Sequence, residues 1–243
     1  MTRAPAPVHL SVSTWQQSVP VDTSPMRTAL LEDIAARILA SGEGRLRVAV
    51  DGPTAAGKTS LGHELAREIS RAGRPVLRAS LDDFKKPWAD RHLYDRESGE
   101  GYYRNAFDYP AVTRLLLEPA SAAGSGECAL CSIDPLTQLD HSGVITPAAR
   151  DAVLIVDGVF AFRPEINKHW DYRIWLQVDA DTSLQRGARR DRGWAGSEAE
   201  ALHRDRYLVA ERLYVDEVDP IRLADAAIDN SALQRPRILL VRS

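Results

Sequence analysis

Leu46-Arg-Val-Ala-Val50-Asp51-Gly52-Pro53-Thr54-Ala55-Ala56-Gly57-Lys58-Thr59-Ser60 decides the fold of this 243-residue chain. The opening run is short, apolar and β-rich. From Gly52 to Thr59 the residues match G-x-x-x-x-G-K-[ST] at every fixed position, and the stretch Thr59 to Arg71 that follows is helix-like. A strand that runs into a glycine loop and then a helix is what a phosphate cradle needs. The glycines let the backbone curl so that its N–H groups face phosphate oxygens. The helix adds its positive N-terminal end. Lys58 supplies a mobile cation for the β- and γ-phosphates, and the Thr59 hydroxyl a ligand for a bridging magnesium. The expectation is a nucleoside-triphosphate site, with ATP or another triphosphate and Mg2+ bound by residues 52–60.

Outward from this loop, strands and helices alternate. Pro75-Val-Leu-Arg-Ala-Ser80, Ala152-Val-Leu-Ile-Val156, Tyr172-Arg-Ile-Trp-Leu-Gln-Val178, Ala226-Ala-Ile-Asp229 and Ile238-Leu-Leu-Val241 read as strands. The run before Asp157 is apolar throughout, as in a parallel strand covered on both faces. Met26 to Ala40 reads as an amphipathic helix opened by Ser24-Pro25, and residues 109–118, 181–192 and 197–213 also read as helices. The pattern predicts an α/β fold: a phosphate-loop NTPase-type parallel sheet of about five strands flanked by helices. A small β-hairpin appendage is expected from arms near 127–133 and 143–146. Residues 1–24 read as an N-terminal extension to a domain spanning 25–243. The polar and aromatic stretch 84–107 reads as a partly structured surface segment.

A phosphate loop implies phosphate, not a reaction, and other residues must choose one. Asp82, in Ser80-Leu-Asp82-Asp83-Phe84, follows a strand, where ligands of open α/β sheets bind. A carboxylate there suits the proton of an attacking hydroxyl, although an Asx turn at a strand end is equally ordinary. Asp108, before Tyr109-Pro110, fits either sugar hydroxyls or the N-cap of the helix it precedes. Asp157 ends a buried strand, where a carboxylate of the magnesium shell sits in phosphate-loop enzymes, or where a plain Asp-Gly turn would stand. Arg186 and Arg190 share a helix face and suit transferring phosphoryl oxygens. Their ordinary alternative is a solvated face paired with acids.

In order along residues 45–232, these pieces resemble the uridine kinase family of phosphate-loop nucleoside kinases, itself similar to phosphoribulokinase and pantothenate kinase. The matching pieces are the loop at 52–59, Ser80 to Phe84, Phe107-Asp108-Tyr109-Pro110, Asp157-Gly158-Val159, Asp179 to Thr182 leading into Arg190-Asp191, and Leu223 to Asp229. The resemblance implies a kinase domain over 25–243. Asp82 would be general base on the 5′-hydroxyl of a ribonucleoside, Asp108 would bind the ribose, and Lys58, Arg186 and Arg190 would neutralise the phosphates beneath a helical lid over about 186–213, hinged at Gly193 and Gly196. Phe84, Tyr103 and Asp134 complete the expected acceptor site, with Thr59 and Asp157 at the metal. The family's pyrimidine kinases usually carry an aromatic-Asp pair and a base-reading His, where this chain has Ile133-Asp134 and Gln138. Asp157 stands where Glu is more frequent, Trp194 lies in the lid, and the helix at 26–40 is additional. Phosphoryl transfer is therefore the expectation; the acceptor is a uridine- or cytidine-like nucleoside, or another hydroxylated metabolite such as pantothenate or a sugar. A regulatory nucleotide-binding protein is the non-enzymatic alternative.

Composition is that of an ordinary soluble globular protein. Lys and Arg number 31 against 34 Asp and Glu, without the basic footprint of nucleic-acid or membrane-surface binding. Cys128 and Cys131 form C-x-x-C with no second pair to complete a zinc set, and read as small apolar residues of a strand. No apolar run approaches a membrane span or a secretory leader, so a cytoplasmic protein is expected. The oligomeric state stays open, a homo-oligomer among the alternatives.

Overall fold

The computed structural model describes residues 4–14 and 23–242. Nine strands are β1 (Val8–Leu10), β2 (Leu46–Asp51), β3 (Val76–Ser80), β4 (Glu127–Ala129), β5 (Ile145–Pro147), β6 (Val153–Asp157), β7 (Tyr172–Gln177), β8 (Ala226–Asp229) and β9 (Arg237–Val241). Seven of them form one sheet in the order β1-β3-β6-β2-β7-β8-β9. All neighbours pair parallel except β8 and β9. The sheet thus exceeds the five strands expected. β9 adds an antiparallel edge at one side, and β1 closes the other.

β1 revises the reading of residues 1–24. Val8 pairs with Val76 and Leu10 with Arg78, so part of this segment is built into the sheet. Residues 1–3 and 15–22 of the expected extension lie outside the described residues.

Helices cover both faces, as a parallel sheet requires. They are α1 (Pro25–Ala40), α2 (Lys58–Arg71), α3 (Gly99–Asn105), α4 (Tyr109–Val112), α5 (Pro164–Asn167), α6 (Ala180–Ala195), α7 (Ala199–Leu202), α8 (Leu208–Val218) and α9 (Pro220–Leu223). On one face, Leu30, Ile34 and Ile38 of α1 and Leu61, Leu65 and Ile69 of α2 pack on Val48, Val50, Ile155 and Ile174. Ser24 caps α1 by accepting from the Arg27 N–H, with Pro25 at its first turn. Arg27 then forms a buried ion pair with Glu64 of α2, its Nε 2.7 Å from Oε1. On the other face, Phe84, Tyr103, Phe107, Phe160 and Tyr214 pack with Leu77, Leu154 and Val156. Two π-helical turns, Thr113–Leu117 and His203–Tyr207, interrupt the helices read as continuous.

The stretch 84–107 is not a surface segment throughout. Tyr102, Tyr103 and Phe107 are buried, whereas Trp88 and Tyr94 are exposed. The hairpin forms where expected, with Glu127 opposite Pro147 and Ala129 opposite Ile145. Cys128 and Cys131 are free and buried. Among the described residues no helix is long and apolar enough to cross a membrane.

Candidate active site

The register of three adjacent strands assembles the site. Ser80 of β3 pairs with Asp157 of β6, which pairs with Val50 of β2. Neighbouring strands lie about 4.8 Å apart. The β3 exit that carries Asp82, the β6 end that carries Asp157 and the phosphate loop therefore emerge side by side at the carboxyl edge, where ligands of such sheets bind.

The loop itself needs its glycines. Gly52 has φ of 150°, and a Cβ there would lie 2.5 Å from the Leu176 carbonyl oxygen. Gly57 has φ of 93° and a Cβ would lie 2.8 Å from Asn230 Nδ2. Asp51 supports the loop from beneath, accepting from the N–H groups of Gly52, Phe160 and Phe162 and from the Tyr214 hydroxyl. Glu211 of α8 accepts from the Thr54 N–H at 2.5 Å, and Ser183 of α6 donates to the Thr54 carbonyl at 2.6 Å. Helices α6 and α8 thus hold the loop directly.

The resulting cavity of about 290 Å³ is lined by Thr54, Ala55, Gly57, Lys58, Thr59, Ser60, Asp82, Asp157, Arg186 and Arg190, all expected from the sequence. Lys58 Nζ donates to the carbonyls of Gly52 and Pro53, at 2.9 and 2.7 Å. Burial lowers its pKa, against the opposing pull of Glu211, Asp51, Asp157 and Asp82. Arg186 donates to the carbonyls of Asn230 and Ser231, and Arg190 pairs with Asp191 at 2.7 Å. Asp191 is itself held by His203 Nε2 at 2.7 Å. Burial disfavours its charge, but His203 and Arg190 outweigh this and keep the carboxyl well below the usual range.

Asp82 is an acceptor-only carboxylate poised over the loop. Lys85 Nζ lies 2.6 Å from its Oδ1. Burial opposes its charge, yet Lys85, Lys58 and Arg190 together hold it below the ordinary aspartate value. It can receive a proton at neutral pH because it begins ionised.

Thr59 and Asp157, the residues expected at a metal, are in contact. The Thr59 hydroxyl donates to Asp157 Oδ2 at 2.6 Å, while Arg78 Nη2 occupies Oδ1 at 2.6 Å. One hydroxyl and one carboxylate beside a phosphate cradle suit magnesium, which takes few protein ligands and fills its shell with waters and substrate phosphates.

Four residues expected in the acceptor site are turned elsewhere. Phe84 is wholly buried in the core beneath the cavity. Tyr103 is buried too, its hydroxyl donating to Glu217 at 2.9 Å and its ring covered by Arg163. Asp134 accepts from the N–H and hydroxyl of Thr14 and from the N–H groups of Leu136 and Thr137, so it ties the N-terminal segment to the turn after the hairpin strand. Asp108 caps α4, accepting from the Ala111 N–H at 3.0 Å. None of the four lines the cavity. Lys85, Tyr102, Tyr207 and Asp191 do; of these, Lys85 and Tyr207 are not expected from the sequence. The helical offset explains Tyr102: consecutive helix residues point about 100° apart, so α3 directs one tyrosine to the cavity and the next to the core. Lys85 was visible as the basic residue three beyond Asp82 in a single turn.

No protein-family model matches the chain, and no curated protein matches it. Solved structures do. A possible uridine kinase from Bacillus stearothermophilus superposes with TM-score 0.61 at 23% identity, over 82% of this chain and 97% of that one. A provisionally assigned fructose transport system kinase from Silicibacter sp. TM1040 gives 0.58 at 21%, over 76% and 94%. D-glycerate 3-kinase from Cryptococcus neoformans gives 0.55 at 13%, over 83% and 94%. The fold is that of the phosphate-loop kinases. Three proteins named for three different acceptors share this architecture, so the fold by itself names no acceptor.

Proposed function

We propose that the chain is an ATP- and magnesium-dependent phosphotransferase that moves the γ-phosphoryl group to a hydroxyl of a small molecule. One observation carries this reading: an ionised carboxylate, Asp82, shares a cavity with a complete phosphate loop and with Arg186 and Arg190. A nucleotide switch needs the loop but has no use for a base beside it. In the reaction, the acceptor oxygen bonds to the γ-phosphorus, the bond to the bridging oxygen breaks, and ADP leaves. The hydroxyl proton passes to Asp82. Lys58, Arg186 and Arg190 offset the charge on the phosphoryl oxygens. Thr59 and Asp157 would hold magnesium, which when bound screens the β- and γ-phosphates.

Asp191 and His203 act as positioning residues, since they fix the plane of the Arg190 guanidinium. The ribonucleoside 5′-hydroxyl implied by the family resemblance is one acceptor to assay. The side chains assigned to ribose and base face away from the cavity, so the hydroxyl is the part of the acceptor that the site supports. The test is ADP release from magnesium-ATP across nucleosides, pantothenate and sugars, with Asp82→Asn beside the wild type. The variant should lose on the order of a hundred- to ten-thousandfold in kcat while still binding ATP. An unchanged rate in Asp82→Asn would move the chain to the regulatory nucleotide-binding class.

A further inference from the structure

Beyond Asp82, cations gather on the aromatic wall of the cavity. Lys85 Nζ lies 5.7 Å from the centroid of the Tyr102 ring, and the Arg206 guanidinium lies 5.2 Å from the same centroid. Arg206 also covers Tyr207, at 5.8 Å. Both tyrosines line the cavity. Arg91 faces this group, close enough to feel Arg206, Tyr102 and Asp82.

The acids nearby do not balance these cations. Asp82 is engaged by Lys85. Glu97 reaches Arg206 Nη1 only at 3.7 Å and is about two-thirds exposed, so solvent weakens the pair. Arg91 forms no ion pair among the described residues; its Nε donates to the Lys86 carbonyl at 2.8 Å. Two guanidinium nitrogens, Arg91 Nη2 and Arg206 Nε, are buried without a hydrogen-bond partner among the described residues. Unpaired buried donors on mutually repelling arginines are costly to keep. Arg206 moreover belongs to the π-helical turn His203–Tyr207, a backbone irregularity often found at functional sites.

We propose that the acceptor is an anionic hydroxyl compound, its carboxylate or phosphate bound by Arg91, Arg206 and Lys85 around the Tyr102 ring while its hydroxyl faces Asp82. This rests on the phosphotransferase reading and narrows its substrate class. An anion beside the Tyr102 ring would offset the positive charge that Lys85 and Arg206 bring to it and relieve the repulsion between the arginines. It would also anchor a small acceptor at the end opposite the reacting hydroxyl, which is how remote binding aligns a nucleophile. Planar guanidinium groups suit both carboxylate and phosphate.

The test is calorimetry on protein saturated with magnesium and a non-hydrolysable ATP analogue. Ribose 5-phosphate is titrated against ribose, and glycerate against glycerol; the two pairs separate phosphate from carboxylate. The anion of at least one pair should bind at least about tenfold more tightly than its neutral partner, and Arg206→Gln or Arg91→Gln should remove about tenfold of that affinity. Affinity for the ATP analogue should not change. Arg206→Lys, which keeps the charge, should retain most of the binding and controls for misfolding. Neutral partners that bind as well as the anions, failure of both anions to bind, or a loss confined to the ATP analogue would each overturn the proposal. Anion binding without phosphoryl transfer in the ADP-release assay would keep the anion site and sink the phosphotransferase reading. Phosphorylation of neutral acceptors alone would do the reverse.

Discussion

Tyr214 donates its hydroxyl hydrogen to Asp51 Oδ2 at 2.5 Å, across 163 positions of sequence. The contact joins α8 to the strand that launches the phosphate loop. Burial pushes the Asp51 carboxyl up to about 6, against the stabilising pull of Tyr214 and Lys58. Tyr214→Phe deletes one donor from this buried acid and should cost about 1–3 kcal/mol at pH 8, where Asp51 is ionised. The loss should shrink at pH 5, where the carboxyl is protonated. Denaturant melts at the two pH values check this; an equal loss at both would mean that the charge on Asp51 plays no part.

Lys85 sets the acid limb of the reaction. Burial works against the Asp82 charge, and Lys85 is the largest of the cations that overcome it. In Lys85→Met the Asp82 pKa should rise, and the acid limb of the pH profile of kcat should move to higher pH by about one unit. A variant that loses rate equally at every pH would assign Lys85 to binding alone.

The phosphate loop was legible because its requirements are local: glycines, a lysine and a hydroxyl at fixed spacing between a strand and a helix. Asp82 and Asp157 were legible for a similar reason, since strand ends in a parallel sheet point to one edge. Direction was harder to read. Phe84 sits two residues beyond Asp82 but faces the core, because the turn Leu81–Phe84 sends adjacent side chains apart. Asp134 is fixed by Thr14, 120 positions away, a partner that no local pattern announces. β1 is a three-residue edge strand bordered by proline, too short to show a period.

Asp83 should make stability fall as pH rises. Burial pushes its carboxyl up to about 7, against hydrogen bonds from Ser13 and Ser11, and its Oδ1 is unpartnered. An unfolded aspartate ionises near 3.9. Between about pH 4 and 7 the folded chain therefore holds a proton that the unfolded chain has lost. The resulting stability is fully present below pH 4 and declines up to pH 7. Asp83→Asn cannot ionise and should lack this decline, ending on the order of 4 kcal/mol better relative to wild type at pH 8 than at pH 4. Parallel urea melts of the two proteins across that range measure the difference. Curves that stay parallel would mean that Asp83 is already charged throughout.

Arg78 and Thr59 divide the carboxylate oxygens of Asp157 between them. Arg78 Nη2 lies 2.6 Å from Oδ1 in a pair only 3% and 4% exposed, and Thr59 lies 2.6 Å from Oδ2. The arginine balances the carboxylate within the protein, so the nucleotide-free fold should not need the metal. EDTA should therefore abolish ADP release yet leave the melting temperature of the nucleotide-free protein unchanged. Asp157→Asn should raise the magnesium concentration for half-maximal rate by about tenfold, since it removes the carboxylate from the metal's side of the cavity. Arg78→Met instead strands a buried carboxylate and should cost about 3–5 kcal/mol of stability. Added magnesium should recover part of that loss, because a cation at Oδ2 replaces some of the missing charge. No recovery with magnesium would place the metal away from Asp157, and Thr59 would then bind it with the phosphates alone.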